Sequence, residues 1–108
     1  MSLRWLDGYL HSPVMIIVLG HVDAGPGTID DALALSLDHV RRSREEPGCI
    51  SHQVHRDVEN PYRLVFVERW TDRDALTTHF QVPESAAFAE AVTQLAVEDP
   101  VMEIYTAS

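Results

Sequence analysis

The chain has 108 residues, of which 45% are apolar, a length and composition typical of one ordered domain. Seventeen acidic residues oppose eight basic ones, which gives a formal net charge of −9. This balance leaves no basic stripe for nucleic acid and argues against docking on an anionic membrane surface. The lone cysteine, Cys49, cannot form an internal disulfide, as is typical of a protein in the reducing cytoplasm.

No part of the sequence reads as a membrane helix or a secretory signal. The longest apolar run covers only residues 13–20, whereas a membrane-spanning helix needs roughly 20 apolar residues. Residues 1–13 lack an apolar core followed by a cleavage site, so they are interpreted as an N-terminal extension. Residues 14–108 are expected to form a single domain.

The first half of the chain predicts a strand and a helix. Residues 14–22 are β-branched and apolar at successive positions, which indicates a strand buried on both faces. Thr28 is placed to cap a helix whose first turn carries two aspartates, where the helix dipole favours acids. Pro47-Gly48 ends this unit with a turn. The apolar face of the helix is expected to comprise Ile29, Leu33, Leu37 and Val40.

The second half predicts a hairpin, two helices and a last strand. Asp72 is a plausible N-cap for the first of these helices, and Pro83 separates it from the second. The predicted elements are strands at 49–57 and 62–71, helices at 72–80 and 84–98, and a strand at 101–106.

This order of elements predicts the fold class. Two split β-α-β units make an α+β, ferredoxin-like domain, in which a four-stranded antiparallel sheet carries its helices on one face. The strands at 14–22 and 62–71 are nevertheless apolar on both faces, whereas a solvated face would alternate with polar residues. A second copy of the chain is the simplest cover for the other face, so the sequence predicts a homodimer.

The strand at 62–71 carries the most informative residues. Alternation puts Phe66, Glu68 and Trp70 on one face together with Tyr62 and Leu64, so a carboxylate lies between two aromatic rings. The helix that follows carries His79 and Phe80. A carboxylate, an indole and an imidazole therefore meet between sheet and helix, as in many small-molecule sites. The alternative is structural: Glu68 pairs with an arginine at the rim, and Trp70 and His79 are core residues.

The histidines do not predict a metal site. His52 and His55 are three residues apart on a strand, so their side chains point to opposite faces. His11, His21 and His39 have no partner at ligand spacing. We therefore expect no metal, and we interpret Cys49, which has no cationic cluster nearby in sequence, as a structural thiol.

Three short motifs resemble a known family. Residues 45–50 (EEPGCI), 68–72 (ERWTD) and 75–79 (ALTTH), in this order and spacing, resemble the antibiotic biosynthesis monooxygenase domain family. This family comprises small dimeric α/β-barrel proteins that include quinol oxygenases. The resemblance extends from about residue 14 to residue 105.

The resemblance implies a dimeric α/β barrel in which the last strand reaches across to the partner. It also implies oxygenation of a small quinol- or phenol-like aromatic molecule by O₂ without metal, flavin or haem, so that the substrate supplies its own electrons. A histidine is a fitting base for such a phenol, and an indole N–H can stabilise the anion. Only His79 and Trp70 carry over from the resemblance, as catalytic residues, whereas the position of Phe66, Glu68, Phe80 and Phe88 in the predicted elements is what suggests that they surround the substrate.

Two departures narrow this expectation. Polyketide-tailoring members of the family place an asparagine four residues before the tryptophan, at the position of Phe66. Haem-degrading relatives carry an iron-ligating histidine on the later helix, and residues 86–92 contain none. The expected function is thus a cofactor-independent monooxygenase. The alternatives are a non-catalytic dimeric module that binds a small hydrophobic molecule and, third, a haem-binding protein.

Overall fold

A computed structural model describes residues 4–5 and 14–108, so the extension expected at 1–13 lies largely outside the described residues. Residues 14–108 form the seven elements expected from the sequence, with bounds that differ by a few residues. The elements are β1 (Met15–Asp23), α1 (Ile29–Ser43), β2 (Cys49–Arg56), β3 (Arg63–Trp70), α2 (Arg73–Gln81), α3 (Pro83–Leu95) and β4 (Val101–Ala107).

The four strands form one antiparallel sheet in the order β2-β3-β1-β4, which confirms the predicted ferredoxin-like fold. In the pairing of β1 with β3, Val18 lies opposite Glu68 and Gly20 lies opposite Phe66. In the hairpin, His52 lies opposite Glu68. These pairings bring three strands together beneath the helices.

The inner face of the sheet, on which the helices pack, carries the even-numbered residues of β1 and β3. This is the alternation predicted for β3, except that Tyr62 precedes the strand and is 40% exposed. Glu68 is buried with its apolar neighbours, so it is not the rim residue of the structural alternative. The buried residues of this face are Ile16, Val18, Val22, Leu64, Phe66, Glu68 and Trp70.

Helix α1 is rotated relative to the face predicted from its leucines. Leu33 and Leu37 are only half-buried, because small residues allow the helix to pack closely on the sheet. Thr28 occupies the N-cap position of α1 as predicted, but its side chain does not bond to the amides of that helix: its hydroxyl accepts from the Gly25 amide and donates to the Leu95 carbonyl. The buried residues of α1 are Ile29, Ala32, Ser36, His39, Val40 and Ser43.

Helix α2 is held by two contacts at its N-terminal end. Asp72 caps it as predicted, its carboxylate accepting from the Ala75 amide at 2.8 Å. Gly48, in the turn before β2, has a φ of +83° and lies so close to α2 that an added Cβ would be 2.5 Å from the Ala75 Cβ. The turn after α1 therefore presses directly on the helix that carries His79.

The outer face of the sheet, made by the odd-numbered residues of β1 and β3, is not covered by any of the helices α1, α2 and α3. Leu19 of β1 and Tyr105 of β4 lie there and are 42% and 48% exposed. Strand β4 is exposed along most of its length. Among the described residues, no helix is both long and apolar enough to cross a membrane.

Candidate active site

A cavity of about 190 Å³ lies between the inner face of the sheet and helices α2 and α3. Its wall is largely apolar and includes Phe66 and Phe88, while its polar side chains include Glu68, His79 and His39. The apolar lining also includes Val18, Val22, Phe80, Val92 and Met102. A small apolar cavity with a few polar groups is typical of a site for a compact organic ligand.

Gly20 makes room for this cavity. It lies on the inner face of β1, between Val18 and Val22, and lines the cavity opposite Met102 of β4. An added Cβ would lie 3.1 Å from the Val101 carbonyl oxygen. The absence of a side chain at this point in a strand fits a site where another group approaches closely.

His79 is held by a carboxylate that sequence reasoning did not identify. Its Nδ1 lies 2.8 Å from Oε1 of Glu46, in the turn after α1, and the imidazole is 3% exposed. Because a carboxylate only accepts, we assign the proton to Nδ1, which leaves the Nε2 lone pair as the base. The pair has the geometry of a base oriented by a third group.

Arg42 joins the same carboxylate to a second histidine. Its Nη1 donates to Oε2 of Glu46 at 3.1 Å, and its Nη2 lies 2.7 Å from Nδ1 of His39. A guanidinium has no acceptor, so Nδ1 of His39 accepts and Nε2 carries the proton. The ring of His39 stacks on Phe88, with 3.9 Å between ring centres. His39 therefore presents an N–H donor, whereas His79 presents a lone pair.

His52, Glu68 and Trp70 form a buried group beside the cavity, of which Glu68 is the member that lines it. Nε1 of Trp70 donates to Oε1 of Glu68 at 3.0 Å, and Nε2 of His52 lies 3.2 Å from the same oxygen. That His52 contact is close enough for an ion pair but lies outside hydrogen-bond geometry. Nδ1 of His52 likewise has no hydrogen-bond partner among the described residues, although the side chain is completely buried.

Burial and mutual proximity set the charge states of the site. Burial, and then the nearby His52 and His79, lower the pKa of His39 to about 3, so this ring is neutral at neutral pH. Burial alone would raise the pKa of Glu68, but the close contact and charge of the His52 ring, together with the Trp70 N–H, bring it below the usual value. Glu68 is thus a buried anion.

Cys49 is not activated. Burial, followed by the charges of Glu68 and Glu46, raises the pKa of its thiol to about 11. A thiol with a raised pKa carries little thiolate at neutral pH, so its chemistry agrees with the structural role expected from the sequence.

The residues expected around the substrate from the sequence are brought together, with one difference. Phe66, Glu68, Phe80 and Phe88 all line the cavity, and so does His79. Trp70 is absent from the lining and completely buried, and its N–H is already used by Glu68. The indole therefore reaches the cavity only through that carboxylate, contrary to the expectation of a direct donor.

The sequence spacing also concealed a cluster of three histidines, because its members come from three elements. His39 of α1, His52 of β2 and His79 of α2 have ring centres 5.2 to 5.5 Å apart. We call these three residues the histidine cluster. His39 has no partner at ligand spacing along the chain, but in the folded protein it lies beside His52 and His79. One signal was available: His39, Arg42 and Glu46 follow the three- and four-residue spacing of a helix face.

Comparison with known proteins identifies one curated relative of clear similarity. The uncharacterized protein sll1783 of Synechocystis is 34% identical over 90 residues, which is 83% of this chain and 61% of that protein. The chain therefore spans about three-fifths of the length of that relative.

Solved structures share the fold. A conserved protein from Methanosarcina mazei superposes with a TM-score of 0.84 at 23% identity, covering 90% of this chain and 96% of that one. A structure described as an antibiotic biosynthesis monooxygenase gives a TM-score of 0.80 at 26% identity, covering 86% of this chain and 98% of that one. The family model for antibiotic biosynthesis monooxygenase matches residues 15–91, and the chain belongs to this family.

Proposed function

We propose that the protein is a cofactor-independent monooxygenase that oxygenates a small quinol- or phenol-like aromatic molecule. The observation that carries this proposal is the Glu46–His79 pair at an apolar cavity, with 2.8 Å between Oε1 and Nδ1. Family membership supports a monooxygenase at a coarse level. The substrate class is our proposal.

The first step is removal of a phenolic proton by Nε2 of His79. Glu46 accepts the Nδ1 hydrogen bond and stabilises the imidazolium that forms, and Arg42 balances the charge of Glu46. Imidazole is suited to this step because its ordinary pKa lies near neutral.

The second requirement is an environment for the electron-rich anion beside O₂. Neutral His39 offers an Nε2 proton, and the rings of Phe66 and Phe88 exclude water from the reacting carbon. Glu68 acts in the opposite sense: its negative charge disfavours a second anion beside it, so the phenolate oxygen is expected to lie on the His39 and His79 side of the cavity. Trp70 is a positioning residue that holds Glu68 in place.

The reaction balances without a cofactor. A hydroquinone and O₂ give a hydroxyquinone and water: one oxygen atom enters a ring C–H bond, and the other leaves as water. The four electrons that reduce O₂ come from the substrate. The protein's part is to move protons, orient the anion and keep the cavity dry.

Oxygen uptake tests this proposal. We expect metal-free protein to consume O₂ with at least one member of a panel of hydroquinones and naphthols. The change His79→Ala should lower turnover about 10²- to 10⁴-fold, the range typical of losing a general base, while the fold is retained. Replacing the exposed His55 in the same manner is the matched control and should leave turnover unchanged.

Two outcomes would oppose the proposal. If the aromatic compounds bind but no O₂ is consumed, the chain is the non-catalytic binding module. If His79→Ala loses stability while turnover per folded molecule is kept, His79 is a packing residue. The change Glu46→Gln separates orientation from packing, because it keeps size and should still lower turnover at every pH.

We also propose that two copies associate through the outer faces of their sheets. The support is the exposed apolar surface there, which includes Leu19 and Tyr105, and membership of a family whose proteins are typically dimeric. Sedimentation should show twice the chain mass of 12.1 kDa at micromolar concentration. The change Val67→Asp, at the centre of this face opposite Leu19, should dissociate the dimer, because an unpaired buried charge costs several kcal/mol.

Val58→Asp, at a turn residue that is 97% exposed, is the control and should leave the dimer intact. A wild-type protein that sediments only as a monomer would remove the case for this interface.

A further inference from the structure

We propose that the histidine cluster is a binding site for one divalent transition-metal ion, such as Zn²⁺. The ligands are His39, His52 and His79, whose candidate ligand atoms all lie within 4.8 Å of one another. Neutral imidazoles are preferred ligands of this class of ion, and three histidines with an open fourth position form a common zinc set. The inference stands apart from the proposed oxygenation, since it concerns what the cluster binds.

The spacing of the rings fits a single ion. Imidazoles bound to one tetrahedral zinc have ring centres about 5.2 Å apart, given metal–nitrogen bonds of about 2.0–2.1 Å and ring centres about 1.1 Å beyond each nitrogen. The three separations here are 5.2, 5.4 and 5.5 Å. Ligand nitrogens around such an ion are about 3.3 Å apart. Rotation of the rings, with little movement of their centres, brings the nitrogens to this distance.

His52 gives an independent reason to expect a ligand. Its side chain is completely buried, and neither ring nitrogen makes a hydrogen bond among the described residues. An unsatisfied buried polar group costs about 1–3 kcal/mol, so its presence at the centre of a cluster calls for an explanation. A metal ion bound through this ring satisfies it.

Two of the rings each contact a carboxylate through a ring nitrogen, an arrangement found around many metal-bound histidines. Glu46 accepts from Nδ1 of His79, which leaves Nε2 for the metal, and Glu68 lies 3.2 Å from Nε2 of His52. The two carboxylates also supply negative charge beside a dication. Such outer partners fix the ring orientation and raise the basicity of the ligand.

Arg42 competes with the metal for His39. Its Nη2 lies 2.7 Å from Nδ1 of that ring, and a guanidinium cannot remain there when His39 turns to bind a cation. Arg42 keeps Glu46 as a partner through Nη1 and also reaches the Ser85 hydroxyl at 3.4 Å, so it can release His39. The metal and the base role of His79 exclude each other, because both use the Nε2 lone pair.

Calorimetric titration of chelator-treated, tag-free protein with Zn²⁺ tests the site, with the visible spectrum of a Co²⁺ titration as a second readout. We expect one ion per chain and the absorption of tetrahedral Co²⁺. His52→Gln and His39→Gln should each weaken affinity by about 100-fold or more, and Glu46→Gln by about 10- to 100-fold. Arg42→Met should strengthen it, because the competing guanidinium is gone.

His55→Gln is the matched control: it changes a histidine of the same strand that is exposed and points away from the cluster. Circular dichroism of each variant checks folding, and having two ligand variants keeps the test decisive if one does not fold. Binding below one ion per chain, or an affinity that His52→Gln and His39→Gln leave unchanged, would overturn the proposal. A loss equal in His55→Gln would do the same.

Discussion

Two regions between the same helices and the same sheet are built from opposite kinds of side chain. The apolar cluster, which includes Leu64, Val22 and Val92, consists of buried aliphatic and aromatic side chains. The histidine cluster beside it buries three imidazoles, of which His52 makes no hydrogen bond among the described residues. Phe88 touches both, since it packs on the apolar cluster and stacks on His39. From this difference we infer that the apolar cluster supports the fold, and we propose that the histidine cluster, which costs stability, serves chemistry.

The largest loss of stability is expected when an apolar side chain of the apolar cluster is removed. Leu64 is completely buried in the apolar cluster, and Leu64→Ala should lower the free energy of unfolding by about 2–5 kcal/mol, because it loses transfer energy and leaves a cavity. Urea denaturation measures this change. Val58→Ala, at a residue 97% exposed, is the control.

If the division of roles is correct, the Leu64→Ala protein that remains folded keeps its affinity for zinc. A variant that unfolds no more readily than wild type, or that loses the ion while still folded, would contradict the separation of the two regions.

A smaller loss of stability is expected at the contact between the turn before β2 and helix α2. Gly48→Ala puts a Cβ 2.5 Å from the Ala75 Cβ and forces a left-handed conformation on alanine, so it should cost about 1–3 kcal/mol and displace α2. Because α2 carries His79, turnover should fall as well. Gly27→Ala is the matched control, since an added Cβ there meets nothing within 4 Å. Equal behaviour of the two variants would show that the turn does not position the helix.

The smallest expected change is that of stability with pH, taken over one pH unit. The folded pKa of His39, about 3, lies below the ordinary 6.5, so between these values the unfolded chain binds a proton that the folded chain does not. The free energy of unfolding should therefore fall as pH drops below 6.5, by up to about 1.4 kcal/mol per pH unit. His39→Gln should remove this slope between pH 5 and pH 6.5, and His55→Gln should keep it. An unchanged slope in His39→Gln would mean that His39 is not the group held neutral.

Local patterns were enough to locate the strands and helices and to orient much of the sheet. Period-two alternation put Phe66, Glu68 and Trp70 on one face, and Asp72 was identifiable as a cap from its position just before a short helix. These features depend on residues close in sequence, so the chain itself carries them. The face of α1 was predicted only in part: Ile29 and Val40 are buried as expected, but small residues take the places expected for Leu33 and Leu37.

The chemistry of the site depended on contacts that no local pattern contains. Glu46 meets His79 across 33 residues, and the histidine cluster joins two helices and a strand. The indole of Trp70 was expected to face a substrate, but the hairpin and sheet alternation put it beside Glu68, which takes its N–H. The Glu46–His79 pair and the histidine cluster form only when separate elements pack, since hydrogen bonds and burial act over a few ångströms in space. Periodicity therefore located Trp70 and His79, and the packing of α1 and α2 on the sheet set their partners.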